Sequence, residues 1–299
     1  MNGGCGQGTL LAVILFAVGT NELGLNWDLS LFKYVDDMQY LEHLKVNETC
    51  DSFLEINPST IRSLSALTHV EKFAKDKHMK LNKSKTKCMI FDLSNLGIMG
   101  NFNHPASNEQ IEIFNEIKIL GFHLTDNLDF QKTVDLRCIS ARRCLWTLVR
   151  LREAHFPLDK LVKIYCMNIR SILEYSVLVI LNSLTKKQLE QFETVQKKAT
   201  QIMMKDYSSC YEDRLKICKI PSLKERWEKM FVKFANDVVK SGRLQNWLIP
   251  NQNTNVVNLR KQNIFHVPLC RTERYKRSAI NSVIRAVNNA DNFKIVFDD

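Results

Sequence analysis

Residues 31–41 read LFKYVDDMQYL, in which two adjacent aspartates are flanked by aromatic and aliphatic residues. Asp36 and Asp37 are turn-forming residues, and the apolar flanks are typical of β-strands. Residues 29–41 are therefore predicted to form a β-hairpin with both carboxylates at its tip. Adjacent carboxylates between apolar strands are costly unless a cation neutralises them, and Mg²⁺ prefers carboxylate oxygens. Taken alone, the commoner role of such a pair is an exposed turn.

The segments around this hairpin predict a mixed α+β region over residues 1–130. An apolar run at residues 10–18 is too short to span a bilayer and is predicted to be a helix or strand that enters a core. Residues 87–91 predict a short strand, and residues 110–124 predict a second hairpin with Ile111 and Ile113 on its first arm. Its second arm is predicted to carry Ile117, Ile119 and Phe122. A helix is predicted after Pro58 from a three-residue apolar spacing: Ile61, Leu64, Leu67, Val70 and Phe73.

Residues 131–299 have a different pattern, which predicts a mainly α-helical region. Four apolar helix faces recur along it. The first two are Val134, Cys138, Ala141, Leu145 and Leu148, and Leu158, Leu161, Val162, Tyr165, Ile169 and Ile172. The other two are Leu189, Phe192, Val195, Ala199 and Ile202, and Leu223, Trp227, Met230, Phe234 and Val238.

Charge separates the same two regions. Residues 1–130 hold 11 Lys and Arg against 16 Asp and Glu, a balance of −5, whereas residues 131–299 hold 31 against 16, a balance of +15. A strongly basic region indicates a polyanionic partner such as a nucleic acid, although a solvated basic surface has the same composition. The predicted phosphate contacts are Arg142, Arg143, Arg150 and Arg152, followed by Lys197 and Lys198.

The nine cysteines favour an intracellular protein with reduced thiols. The count is odd, and no CxxC pair of the zinc-finger type occurs. Partly buried, reduced thiols are therefore expected. The sequence does not distinguish the nucleus from the cytoplasm. No membrane partner is expected, because the apolar run at residues 10–18 is too short to span a bilayer.

Four segments, in order, resemble motifs of the reverse transcriptases of non-LTR, LINE-type (jockey-like) retrotransposons. Residues 4–9, GCGQGT, are similar to the G-x-P-Q-G-[ST] segment, and YVDD at residues 34–37 to the Y-x-D-D hairpin. Residues 81–87, LNKSKTK, resemble L-N-x-x-K-T-K, and residues 117–122, IKILGF, resemble I-K-x-L-G-[FVI]. In the basic region, residues 169–175, 196–199 and 223–226 resemble the helical part that follows the palm of these polymerases.

The resemblance implies an α+β fold: a partial reverse transcriptase palm of antiparallel hairpins and helices over residues 1–130, then a thumb-like region over 131–299. It implies RNA-directed DNA synthesis, with an RNA template, a DNA primer and deoxynucleoside triphosphates as partners and Mg²⁺ as cofactor. Asp36 and Asp37 would be metal ligands, and Lys85 would lie beside the triphosphate and protonate the departing pyrophosphate. The implied template and primer contacts are Gln7, Gly8, Tyr34, Leu120, Gly121 and Phe122.

The departures from the family pattern predict that this chain alone is inactive. The family palm carries another aspartate on a strand before the Gln-Gly turn, and only residues 1–3 precede that turn here. Gly6 stands where the family has Pro, Glu22 stands where it has Asp, and the fingers are missing. These features predict a truncated and partly decayed copy of the element. The alternatives are a non-catalytic nucleic-acid-binding module that uses the basic helices, and a helical interaction protein in which the Asp-Asp turn is incidental.

Overall fold

The computed structural model describes a mixed α+β chain that divides into two compact units. The described residues are 17–23, 30–34, 36–44, 47–50, 53–55, 61–82, 85–91, 98–99, 111–242, 248–250 and 263–289. Unit 1 comprises Met1–Lys118 and Leu124–Leu128, and unit 2 comprises Ile119–His123 and Asp129–Asp299. The predicted apolar run at residues 10–18 lies mostly outside the described residues.

The predicted Asp-Asp hairpin of unit 1 is confirmed. Strand β1 (Ser30–Tyr34) pairs antiparallel with β2 (Asp37–Leu41), and Tyr34 lies opposite Asp37. The connection is therefore a two-residue turn that contains Asp36, which is the shortest link between antiparallel strands.

A three-stranded sheet and a helix complete the described part of unit 1. The sheet has the order β3 (Asn47–Cys50), β4 (Phe53–Glu55) and β5 (Ile98–Met99), with β3 antiparallel and β5 parallel to β4. Helix α1 (Arg62–Asp76) confirms the predicted helix. Its buried positions are Leu64, Ala66, Val70 and Ala74, whereas the predicted Leu67 and Phe73 are only half-buried.

Glu42 fixes the start of α1 from the end of β2. Its carboxylate accepts hydrogen bonds from the backbone N–H groups of Arg62 (3.0 Å) and Ser63 (2.8 Å). These N–H groups have no partner within the helix, so an acidic side chain outside it satisfies them. Burial raises the pKa of Glu42, but these hydrogen bonds outweigh it and leave the pKa lowered.

The second hairpin exists, but the predicted arms are wrong. Its strands are β6 (Glu116–Ile119) and β7 (Phe122–Thr125), joined at Leu120 and Gly121. Both turn residues have positive φ, 48° and 78°, which matches the twist of the flanking strands in a two-residue turn. Ile113, predicted on the first arm, forms a parallel bridge with Cys88 instead.

Unit 2 is helical, as predicted. The chain forms α2 (Gln131–Glu153), α3 (Leu158–Ile164), a π-helix (Tyr165–Arg170), α4 (Ser171–Glu174), α5 (Val177–Ile180) and a 3₁₀ turn (Leu181–Ser183). It continues with α6 (Lys186–Met204), α7 (Tyr211–Cys218), α8 (Leu223–Ser241), α9 (Glu273–Lys276) and α10 (Ala279–Asn288). Every residue of the predicted apolar faces of α2 and α6 is buried.

Two predicted faces are displaced. Along α3, the π-helix and α4, the buried residues are Leu161, Tyr165, Ile169 and Leu173 rather than Ile172. A π-helix hydrogen bonds from i to i+5 and so winds more slowly, which moves the buried position on by one residue. In α8 the buried row is Leu223, Trp227, Phe231 and Ala235, whereas the predicted Phe234 is exposed and Met230 and Val238 are half-buried.

Among the described residues, no single helix is long and apolar enough to cross a membrane. The bent pair Leu158–Glu174 and Val177–Ser183 meets the length and composition of a span only when taken together.

Candidate functional site

The Asp-Asp hairpin presents two carboxylates at one end of two short strands. Asp36 occupies the turn and Asp37 begins β2, and both side chains are exposed. Within the part of the chain that the structure describes, neither carboxylate forms a hydrogen bond or an ion pair. Their exposure makes both carboxylates accessible to a cation from solvent.

The two faces of this hairpin differ. Phe32 and Tyr34 lie on one face together with Leu41, because residues two apart on a strand share a face and Ser30 pairs with Leu41. All three side chains are exposed. The opposite face carries Leu31, Met38 and Tyr40, which are half-buried.

Lys33 connects β1 to the segment that precedes it. Its ammonium group donates to the backbone carbonyls of Thr20, at 2.8 Å, and Leu23. Burial lowers the pKa of Lys33. The lysine therefore holds the hairpin in unit 1 rather than offering a free charge.

The carboxylates of Asp36 and Asp37 fit Mg²⁺ by their donor chemistry, since hard cations prefer oxygen ligands. A two-metal centre needs carboxylates on both sides of the ions. Within the described ranges, no three His, Cys, Asp or Glu side chains cluster as metal ligands.

Three other predicted polymerase residues lie elsewhere or outside the described residues. Gln7 and Gly8 are outside them. Lys85 is described and exposed, and its backbone N–H donates to the Asn82 carbonyl at 3.1 Å. Among the described contacts, none joins Lys85 to Asp36 or Asp37.

The turn at Leu120 and Gly121 is held by two side chains from the helices of unit 2. The Tyr175 hydroxyl donates to the Leu120 carbonyl at 2.5 Å, and Arg137 Nη2 donates to the Gly121 carbonyl at 2.8 Å. The Arg137 guanidinium also lies 4.3 Å from the centre of the Tyr175 ring. Both turn carbonyls are therefore satisfied by a stacked pair of side chains.

Phe122 has a packing role. It is buried, and its ring centre lies 5.5 Å from that of Phe130. Leu120 and Gly121, by contrast, are exposed. Of the three residues predicted for primer contact at this turn, Leu120 and Gly121 are the two that present a surface.

The predicted arginine cluster lies on α2. Arg142, Arg143 and Arg150 are exposed, and Arg152 is half-buried. Arg150 forms an ion pair with Glu153 at 3.3 Å and lies 4.9 Å from the ring centre of Trp146. Exposed ion pairs contribute about 0–1 kcal/mol, so Arg150 can exchange Glu153 for a phosphate at little cost.

The two predicted lysines of α6 differ in their surroundings. Lys197 forms an ion pair with Glu190 at 2.5 Å and lies 5.5 Å from the ring centre of Tyr211. Lys198 is exposed and lies 5.2 Å from the ring centre of Tyr207, which is itself exposed. Lys198 is thus the better placed of the two for contact with a phosphate.

Gln196, in the motif segment 196–199, is the centre of a network of buried polar contacts in unit 2. The Tyr165 hydroxyl donates to Gln196 Oε1 at 2.6 Å, and Gln196 Nε2 donates to the Tyr211 hydroxyl (2.8 Å) and the Pro221 carbonyl (3.0 Å). Tyr211 in turn donates to Glu193 at 2.6 Å. Buried polar groups that are fully hydrogen bonded fix one arrangement of the helices.

A second connection in unit 2 is ionic. Glu174 pairs with Arg226 of α8, whose Nη2 lies 3.2 Å from Glu174 Oε2, and with Arg170 at 3.4 Å. The hydrogen bonds that Arg226 donates to the Glu174 carboxylate raise the pKa of Arg226. Arg170, Glu174, Gln196 and Arg226, which lie in the three motif segments of unit 2, therefore stabilise the packing of its helices.

The sequence reasoning missed Arg137, Tyr175 and Trp146. The signal for Trp146 was present, since it stands three residues after Arg143 and four before Arg150 and so shares their helix face. Arg137 and Tyr175 carried no such signal, because their contacts with the turn join residues far apart in sequence.

No protein-family model matches the chain, and no curated protein or solved structure matches it.

Proposed function

We propose that this chain derives from the RNA-directed DNA polymerase of a non-LTR, LINE-type retrotransposon. Residues 1–130 would be part of its palm, and residues 131–299 the thumb-like region that holds template and primer. The observation that carries the proposal is the hairpin in which Asp36 occupies a two-residue turn and Asp37 lies opposite Tyr34. The Y-x-D-D resemblance requires this arrangement of the two carboxylates.

In this proposal Asp36 and Asp37 hold a divalent cation, and Tyr34 shapes the surface beside it. Bound Mg²⁺ supplies charge stabilisation for nucleotidyl transfer. Lys85 would face the triphosphate, and the exposed Leu120 and Gly121 would contact the primer. The firm attachment of their turn through Tyr175 and Arg137 supports this role, because a contact surface must be held in place.

Iron-directed cleavage tests the metal site and the polymerase assignment together. The protein is bound to an RNA template annealed to a shorter DNA primer, and Fe²⁺ replaces Mg²⁺. Added hydrogen peroxide is reduced by the bound Fe²⁺ to hydroxyl radical and hydroxide, and ascorbate returns the Fe³⁺ to Fe²⁺. We expect cuts within a few nucleotides of the primer 3′ end. The Asp36→Asn/Asp37→Asn variant should lose this focused pattern.

Glu212 and Asp213 supply the matched control, because they are also adjacent and exposed. Asp213 is paired with Lys216 at 3.1 Å, which makes this pair a poorer cation site. Glu212→Gln/Asp213→Asn should leave the cuts at the primer end intact. Uniform cleavage, or cuts that survive the Asp36 and Asp37 changes, would contradict the polymerase assignment.

A second function, nucleic-acid binding without catalysis, is favoured by a separate observation. Arg142, Arg143 and Arg150 are exposed along α2 in the unit that carries the basic region. Lys and Arg at such positions bind phosphates without regard to sequence. Binding of the template–primer without focused cleavage would support this alternative.

A further inference from the structure

The outward side of α2 carries a continuous row of exposed residues. They are Lys132, Leu136, Ile139, Arg143, Trp146 and Arg150, spaced alternately by four and three residues. This spacing places them on one face of the helix. At 1.5 Å per residue the row is about 27 Å long. We call it the outer row.

Trp146 is the residue of the outer row that most needs explanation. Its side chain is 62% exposed, although tryptophan is on average a highly buried residue. The guanidinium of Arg150 lies 4.9 Å from its ring centre, a cation–π distance. The indole is thus held in place by Arg150 while most of it stays in contact with solvent.

The charge of the outer row favours a nucleic acid over a protein helix as its partner. Its charged members are all cations, and Arg142 lies beside Arg143. An apolar helix of another protein would fit Leu136 and Ile139 but would offer no anion to Arg143, and Arg150 has only the exposed Glu153 at 3.3 Å. A nucleic acid satisfies both features, because its phosphates pair with arginine and its bases stack on aromatic rings.

The exposed Trp146 ring indicates that the nucleic acid bound is single-stranded. In a duplex the base faces are stacked on one another, so a tryptophan on a helix surface reaches them only in unpaired nucleotides. Single-strand binding proteins combine cationic and aromatic side chains in this way. We propose that the outer row of α2 binds single-stranded RNA or DNA, with a base stacked on Trp146 and phosphates held by Arg143 and Arg150. The inference rests on the proposed function only in that unit 2 binds nucleic acid.

The test compares a labelled 20-nucleotide single strand with a blunt duplex of the same sequence by fluorescence anisotropy. Trp146→Ala should weaken single-strand binding about 5- to 150-fold and leave duplex binding unchanged, because only the stacked base is lost. Trp146→Phe keeps a ring and should recover much of the affinity. Phe234→Ala is the control, since Phe234 is an exposed aromatic residue of α8, outside the outer row, whose ring packs beside that of Phe231.

Three outcomes overturn the inference. Equal losses for single strand and duplex would mean that Trp146 supports the helix rather than a base, and thermal unfolding of each variant would confirm this. Base stacking would also be excluded if Trp146→Ala left the affinity for the single strand unchanged. Tighter binding of the outer row to a protein helix than to nucleic acid would exclude it as well. Failure here leaves iron-directed cleavage at the primer end unaffected, so the two proposals fail separately.

Discussion

At the scale of single residues, Gln196 shows how unit 2 is held together. Its side chain is fully buried, and its amide accepts from Tyr165 and donates to Tyr211 and to the Pro221 carbonyl. Burial and the Glu193 charge raise the pKa of Tyr211, and burial raises that of Tyr165. Both phenols therefore stay protonated in the folded chain, and each donates its proton in a hydrogen bond of this network.

This network predicts loss of stability at alkaline pH. In the unfolded chain tyrosine ionises near pH 10, whereas the folded chain keeps Tyr165 and Tyr211 protonated above that pH. Burial also raises the pKa of Tyr40 to about 12. Above pH 10 the unfolded state therefore binds fewer protons than the folded state. The contribution of these tyrosines to the free energy of unfolding is fully present below pH 10 and is lost as the pH rises towards 12.

Urea unfolding of Tyr211→Phe from pH 8 to 11 tests this reading. At pH 8 the variant should lose about 1–3 kcal/mol, because Glu193 and Gln196 each lose a buried partner. Above pH 10 its stability should fall less steeply than that of the parent. Tyr275→Phe removes an exposed hydroxyl and serves as the control. A decline in Tyr211→Phe as steep as the parent's would assign the alkaline effect to other groups.

At the scale of elements, the sequence predicted what depends on local pattern. The turn around Asp36 and the buried faces of α2 and α6 follow from turn chemistry and helical spacing, and the structure confirms them. The π-helix at Tyr165–Arg170 was not predicted, because the residue types of this segment do not distinguish a π-helix from an α-helix. The arms of the second hairpin were misplaced because Leu120 was read as part of a strand, although it adopts positive φ.

The candidate site divides in the same way. The exposure of Asp36, Asp37, Arg142, Arg143 and Arg150 agrees with their predicted surface roles, whereas Arg152 is half-buried. Phe122 was predicted as a contact residue and is buried, since its contact with Phe130 depends on how the chain packs. The anchoring of Leu120 and Gly121 by Tyr175 and Arg137 required the fold, because nothing in the local sequence pairs them.

The α2 arginines carry a prediction of their own. Replacing Arg143 and Arg150 by Ala should reduce the slope of log affinity against log salt for duplex DNA by about two, since each bound phosphate releases about 0.9 counterions. Lys216→Ala/Lys229→Ala is a control of equal charge, because both lysines are exposed but lie on α7 and α8, outside the arginine cluster of α2. Anisotropy titrations at several salt concentrations give the slopes. Equal slopes for the parent and the arginine variant would identify the cluster as ordinary solvated surface.

At the scale of the whole molecule, charge and chemistry are distributed unequally. The acidic residues 1–130 contain the carboxylate pair, and residues 131–299, with a balance of +15, contain the arginine cluster and the exposed Trp146. A polymerase needs both kinds of surface: a cation site for catalysis and a basic surface for the template–primer. The chain therefore has the two kinds of residue that the proposal requires, in separate parts of its sequence.

The last prediction concerns catalysis by these 299 residues alone. Given template, primer, deoxynucleotides and Mg²⁺, they should extend the primer no more than an Asp36→Ala control. Two-metal transfer needs carboxylates on both sides of the ions, and the resemblance assigns only Asp36 and Asp37 in this sequence. Weak Mg²⁺ binding at these two carboxylates should persist, because adjacent carboxylates attract a cation. Positioning of the reacting groups, which contributes most at such a site, would still be missing. Gel analysis of a labelled primer decides the matter: extension that disappears with Asp36→Ala would mean that another carboxylate, such as Asp28 or Asp51 or one from a second chain, completes the site.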